Sequence, residues 1–305
     1  MSNIGVAISM IFIFGGLLAI LIYSLRGRDI DRRIIFLFVL LAVASAVVFQ
    51  IEFKESPTLI VQKVFDKIET MPSGSKVLIS YDFDPAMKPE VFPMANAFVR
   101  HCLARKHKIY FMSLWPQGQA LMTETITEVL EPEFPEVEYG TDYIMLGYKA
   151  GNEGVLNVII TDFRKMYSTD AHNTDINDIP LFDDVKSAKD MDLILPIGGG
   201  KPGPKEWILF VGDPGNVPVA PGLAAVVAPL IYPYYPKQAI GLLGGVKGAA
   251  EYETILKNKY ERFENMPTPA LRMMGPQTLA HIVIMAFIVI GNISFFRSRR
   301  RGSDA

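Results

Sequence analysis

Three stretches of the chain, residues 4–25, 34–51 and 279–296, contain no Asp, Glu, Lys or Arg. Nothing else in the sequence constrains the fold as much. In hydrocarbon every backbone N–H and C=O must find its partner within the segment, and a helix is the single-segment solution. With a rise of 1.5 Å per residue, about 18 to 22 helical residues cover the roughly 30 Å apolar layer of a bilayer. The three stretches therefore predict three transmembrane helices. The first lacks a basic leader and a small-residue cleavage pattern and is followed at once by another apolar run, so it reads as a span and not as a signal peptide.

Arginines flank these runs on one side only. Arg26, Arg28, Arg32 and Arg33 lie between the first two, and Arg297, Arg299, Arg300 and Arg301 follow the third. Short basic flanks stay in the cytoplasm. The expected organisation is two transmembrane helices with a basic cytoplasmic hairpin over residues 1–51 and an extracytoplasmic α/β domain over 52–277. A third transmembrane helix and a basic cytoplasmic tail complete it over 278–305. The composition agrees with a mixed chain: half of the 305 residues are hydrophobic, and the mean hydropathy is +0.24. Taking the eight flanking arginines from 30 basic residues leaves 22, and taking Asp29, Asp31 and Asp304 from 32 acidic ones leaves 29. The central domain is thus net acidic by about seven charges, which argues against a nucleic-acid partner. One cysteine, Cys102, makes no internal disulfide, so a hydrophobic core must hold the domain.

Within the domain, strand-like and helix-like segments alternate. Residues 56–71 read as an amphipathic helix with Ser56 as N-cap and Pro57 in its first turn. Strands are expected over 76–83, 108–114, 137–148 and 192–197, and helices over 89–105, 117–130, 152–166, 205–211 and 238–260. The proline-containing stretch 265–277 is expected to be a stiff link back to the membrane. This alternation predicts a mostly parallel sheet covered on both faces, Rossmann-like or flavodoxin-like.

In such sheets ligands bind beyond the carboxyl ends of the strands. Two motifs fall there. YDFDP places Asp82 and Asp84 at the end of the first strand, and this pair resembles the haloacid-dehalogenase-like phosphatases. The resemblance implies a nucleophilic Asp82, an acid/base Asp84 and a nearby Mg²⁺, with Lys201 or Lys205 and Asp213 of KPGPKEWILFVGDPGN in the later roles. The lysine and the Gly-Asp pair stand too close together for that pattern, and its second acidic residue is missing. The alternative is a polar loop whose aspartates cap the next helix. The second motif, IGGGKPG, sets Gly198, Gly199, Gly200 and Lys201 between a strand and a helix, where backbone N–H groups and a lysine suit an anion. It matches neither the Walker A nor the dinucleotide glycine pattern and is also what an ordinary tight turn looks like.

Other constellations are thin. Four histidines, His101, His107, His172 and His281, form no metal-ligand spacing, and no cofactor or metal is expected. The loop with Asp170, His172, Asp175 and Asp178 lacks the glycine and terminal glutamate of a calcium loop and reads as a solvated acidic loop. Cys102 reads as a buried inert thiol. Gly241, Gly244, Gly245 and Gly248 would each weaken a helix by about 1 kcal/mol, which close packing against another backbone would offset. That backbone belongs either to the chain's own sheet or to another subunit. Tyr232, Tyr234 and Tyr235 among prolines form an aromatic patch of the kind found at interfaces or bilayer surfaces.

These features point to a membrane-anchored, non-enzymatic scaffold or assembly subunit whose partners are the lipid bilayer and other subunits or copies of itself. The alternatives are an anion-sensing module or a divergent Mg-dependent hydrolase at the strand ends. The orientation has a direct check. In intact cells a membrane-impermeant thiol reagent is expected to label a cysteine introduced at an exposed position of the central domain, and not one placed at Ser303. The reverse pattern overturns the topology.

Overall fold

The computed structural model describes residues 3–26, 31–53 and 55–303. Arg28, Asp29 and Asp304 lie outside the described residues. The chain divides into two compact units, residues 1–54 with 271–305, and residues 55–270.

The first unit is a helix bundle with an apolar exterior. Helix α1 (Asn3–Leu25) and helix α2 (Arg32–Val48) pack with the C-terminal helix Pro269–Ser303 through Ile13, Leu17, Phe38, Ala42, Leu279 and Val283. Gly16 lets α1 pass close to Phe38, since a Cβ there would sit 2.4 Å from the ring. Ser9 donates to the Ser45 hydroxyl at 2.7 Å across the α1–α2 seam. Ile11, Phe14, Leu18, Phe36, Leu40 and Ile288 face outward. A water-soluble helix puts its apolar stripe inside; here the outer faces are apolar too.

Two segments, Val6–Leu25 and Pro269–Arg297, are helical, long and apolar enough to cross a membrane. The expectation of three full-length spans needs correction at the second. Helix α2 has 17 residues, a length of about 26 Å at 1.5 Å per residue. It stops because Gln50 takes a left-handed backbone (φ 47°) and the Ile51 N–H closes back on the Ala46 carbonyl. The expected proline link over 265–277 is also shorter than predicted: the C-terminal helix already starts at Pro269, a residue that fits a first helical turn, and it contains Pro276.

The second unit opens with α3 (Leu59–Thr70). Its N-cap is Thr58, not Ser56, because the Thr58 N–H and hydroxyl both donate to Glu251, at 2.9 and 2.7 Å, and turn the chain inward there. There follow β1 (Lys76–Asp82), α4 (Lys88–Ala104), β2 (Lys108–Ser113), α5 (Gly118–Thr125), β3 (Tyr143–Tyr148), α6 (Glu153–Ile159), β4 (Leu193–Gly198), α7 (Pro204–Trp207), β5 (Gly222–Leu223), β6 (Leu243–Gly244) and α8 (Gly245–Lys259). The six strands form one sheet in the order β3-β2-β1-β4-β5-β6, every neighbouring pair parallel. This is the Rossmann order and not the flavodoxin one.

Strands β1, β2 and β4 are buried almost throughout because helices cover both faces. On one face Leu78, Tyr110, Ile144 and Ile194 pack with Val155, Ile159, Trp207 and Val211. On the other the Tyr81 hydroxyl donates to Thr125, which donates to Asn96 of α4, at 3.0 and 2.9 Å.

Three predicted elements change. Strand 137–148 shrinks to β3, helix 152–166 ends at Ile159 and gives way to a 3₁₀ turn at Phe163–Lys165, and helix 238–260 starts only at Gly245. In the last case Leu243 and Gly244 pair with Gly222 and Leu223, so a strand takes the place of the first two predicted turns.

Gly118 gives a test of this packing. A Cβ there would lie 2.0 Å from Ser113 Oγ and 2.2 Å from the Tyr81 carbonyl, whereas one at Gly154 would meet nothing within 4 Å. Gly118→Ala is expected to destabilise the protein by about 1–3 kcal/mol. Gly154→Ala, in a helical turn, should stabilise it by roughly 0.5 kcal/mol. Denaturant titration of the detergent-solubilised full chain separates the two.

Candidate functional site

Strands β1 and β4 lie side by side, yet the chain leaves β1 toward β2 and leaves β4 toward β5. Their carboxyl ends therefore flank the place where a Rossmann-type sheet takes its ligand. Asp82 and Gly198 are register partners at this point. The two sequence motifs are thus brought together, and two residues that sequence reasoning passed over, Trp115 and Trp207, join them. They are the only tryptophans in the chain.

Asp82 is fully buried. Its Oδ1 accepts from Ser80 Oγ and the Leu114 N–H, both at 2.8 Å, and its Oδ2 accepts from Trp207 Nε1 at 2.7 Å. Burial pushes its carboxyl up to about 7; the three donors pull the other way, and the nearby Glu206 charge adds a smaller upward push. The role that the phosphatase resemblance implies needs an accessible nucleophilic oxygen. Both oxygens of Asp82 are engaged by the chain itself.

Asp84 turns away from Asp82. Its Oδ1 accepts from the N–H groups of Ala86 and Met87, at 3.0 and 3.2 Å, just ahead of α4. These bonds close the turn before the helix, and Asp84 makes no cap bond to α4 itself. Glu206 accepts from the Gly203 N–H, just ahead of α7, at 2.9 Å. Lys205 and Asp213 are exposed.

The glycine motif makes room for protein atoms. A Cβ at Gly198 would be 2.3 Å from the Asp82 carbonyl, one at Gly199 would be 2.8 Å from Met87 Sδ, and one at Gly200 would be 2.5 Å from the Trp115 ring. The same indole donates to the Pro202 carbonyl at 2.7 Å. Trp115 therefore lies against the turn that IGGGKPG makes. Lys201 points outward, with Nζ 3.3 Å from Glu153. One buried polar atom beside this cluster has no hydrogen-bond partner among the described residues, the Tyr167 hydroxyl; burial, and after it the nearby Asp82 carboxylate, pushes its pKa up.

Elsewhere the candidates serve local structure. Asp170 accepts from the N–H groups of His172 and Thr174 and from the Tyr139 hydroxyl, at 2.9, 2.8 and 2.5 Å. Asp175 accepts from Asn177. Among the described residues no three His, Cys, Asp or Glu side chains gather where they would hold a metal ion. Cys102 is a buried free thiol. Its neighbour His101 instead bonds Tyr252 through Nδ1 at 2.6 Å and Glu69 through Nε2 at 3.1 Å.

Of the four glycines expected to share a helix, only Gly245 and Gly248 do so. Gly241 and Gly244 precede α8, and a Cβ at Gly241 would lie 2.4 Å from the Ile60 carbonyl of α3. Gly245 opens α8 with φ +61°, close to Ala225, and Gly248 packs on the Leu243 backbone. All four make these approaches inside their own unit. Tyr232 is exposed, and Tyr234 and Tyr235 are half-buried.

The chain matches no family model. Neither a curated protein nor a solved structure matches it.

Asp82 and Tyr167 make opposite predictions. Replacing Asp82 by Asn leaves at least one buried donor without its acceptor and should cost about 1–3 kcal/mol, whereas Tyr167→Phe removes no hydrogen bond and should be close to neutral. The pH dependence has a definite sign. The folded carboxyl, at about 7, holds a proton that the ordinary value of 3.8 would release. Its contribution to stability is complete below about pH 4 and is lost as pH rises through about 7. His101, lowered by burial to about 4, gains stability over part of the same window, so the informative quantity is a difference. In denaturant titrations the stability gap between wild type and Asp82→Asn should narrow from pH 4 to pH 7. A gap that widens refutes the assignment.

Proposed function

We propose that this chain is a membrane-anchored, non-enzymatic scaffold or assembly subunit that presents its Rossmann-like domain, outside the cytoplasm, to protein partners. One observation carries the reading. At the switch point where such a sheet takes its ligand, the chain's own side chains hold the polar groups: Asp82 takes three donors, Asp84 and Glu206 bond N–H groups of the turns ahead of two helices, and Trp115 lies on the glycine turn. Backbone and side-chain donors that would bind a substrate or an anion are used to close the domain.

The anchoring reading is favoured by the apolar exterior of the first unit. In it α2 acts as a third, short span. Its 17 residues suit a locally thinned bilayer, and its basic flank at Arg32 and Arg33 stays at the cytoplasmic headgroups. The net acidic character of the central domain suits partners with a basic surface.

The experiment is extraction of the full chain from its membranes in mild detergent, followed by sizing and crosslinking. Copies of the chain, or other subunits that cross-link to residues of the central domain, are the expected result. A monomer at every concentration tested, with no crosslinked neighbour in the intact membrane, sinks the scaffold reading. Phosphate release from generic phosphoesters that is abolished in Asp82→Asn replaces it with the hydrolase reading.

A further inference from the structure

We infer that the C-terminal helix carries a contact for a second copy of this chain: the face with His281, Met285, Ile288 and Asn292 pairs, in parallel, with the same face of a neighbour. The inference rests on the membrane-anchored reading and adds to it a partner and the residues that meet it.

The helix Pro269–Ser303 has two unlike sides. Leu279, Val283 and Ile290 are buried, and the first two share a cluster with Ile13, Leu17 and Phe38 of the same unit. At about 100° per residue these three lie on one side, while His281, Met285, Ile288 and Asn292 fall on the opposite side within an arc of roughly 60°. That side is open. Met285 is 57% exposed and Ile288 58%, and His281 and Asn292 are exposed as well.

Two of these four side chains are polar, and both lie in the charge-free run 279–296. Polar side chains of a membrane-spanning helix ordinarily face the interior of a bundle, where they find partners. Here the inner side is apolar and the polar groups point away from it. Asn292 uses only part of its capacity: Nδ2 donates to the Ile288 carbonyl at 2.8 Å, which leaves one N–H and Oδ1 without a partner among the described residues. In hydrocarbon such a group is costly until another helix supplies the missing donor and acceptor.

The spacing says which helix that is. Positions 281, 285, 288 and 292 are four, three and four residues apart, the seam of a left-handed coiled coil with Met285 and Asn292 in its a places and His281 and Ile288 in its d places. An asparagine at an a position fixes the register of a parallel pair, because residues at equal depth meet and a carboxamide offers its twin both a donor and an acceptor. Copies of one chain enter the membrane in one orientation, so their seams are parallel and a two-fold pair brings like residues together. Between 281 and 292 the seam carries no Asp, Glu, Lys or Arg to repel its own copy.

The test uses the full chain in phosphatidylcholine vesicles at several protein-to-lipid ratios. Ile288→Cys should give a disulfide-linked dimer on mild oxidation, whereas Ile293→Cys, also exposed but about 140° round the helix from 288, should not. Cys102 is buried, and the chain without either substitution gives the background. In energy transfer between donor-labelled and acceptor-labelled chains, Asn292→Leu, which keeps the helix apolar, should weaken association roughly 3- to 30-fold. Equal crosslinking at 288 and 293, or association that Asn292→Leu leaves unchanged, overturns the inference. So does a photo-crosslinker at 288 that, in the source membrane, captures another protein and never a copy. A chain that alkaline extraction strips from the vesicles defeats the anchored reading beneath it instead.

Discussion

A carboxylate shut away from water must be neutralised or surrounded by donors, and Asp82 has both oxygens supplied. Its three donors come from three separate places: Ser80 in its own strand, Leu114 just past β2, and Trp207 in the crossover between β4 and β5. One side chain therefore ties together the halves of the sheet on either side of the switch point. The remainder of the crevice follows from this. With Trp207 drawn under Asp82 and Leu114 held by it, Trp115 is delivered onto Gly200 and Pro202. Gly198 must then lack a side chain to pass the Asp82 carbonyl.

A second polar cluster holds the domain's opposite layer. His101 of α4 lies between Glu69 of α3 and Tyr252 of α8, and Tyr260 donates to the same glutamate at 2.5 Å. Phe65 stacks on the imidazole at 4.2 Å between ring centres. Burial lowers His101 to about 4, so at neutral pH it joins these helices as a neutral hydrogen-bonding group. With Thr58 bound to Glu251 and Gly241 pressed on Ile60, the first and last helices of the domain are held to each other. That is a sound arrangement for a module whose chain enters and leaves by way of apolar helices, since a pull on either end is borne by the other.

The strands and their order of use along the chain were largely legible because they depend on local pattern. Runs such as KVLISYD and KIYFMS are bounded by turn residues and buried on both faces, and their sequence already says so. The two-residue strands β5 and β6 were not legible. They exist because Gly222 and Leu223 find partners in Ile197 and Gly198, some 25 residues earlier, and no local propensity encodes that. The same limit explains α8, where four glycines within helical spacing suggested one long helix although two of them lie outside it.

By itself the sequence determined which segments are free of charge and apolar, which alternate as strand and helix, and that Asp82 and the glycine turn end up at strand termini. Each depends on neighbours in the chain and on the periods 3.6 and 2. Only the tertiary structure decided what those termini do. Whether an aspartate attacks, binds or braces depends on which donors reach its two oxygens, and here two of the three come from residues 32 and 125 positions away. Whether a glycine opens a ligand site or admits a tryptophan depends on what lies against its missing Cβ. Both are questions of distance between remote parts of the chain, and spacing along the sequence holds no record of them.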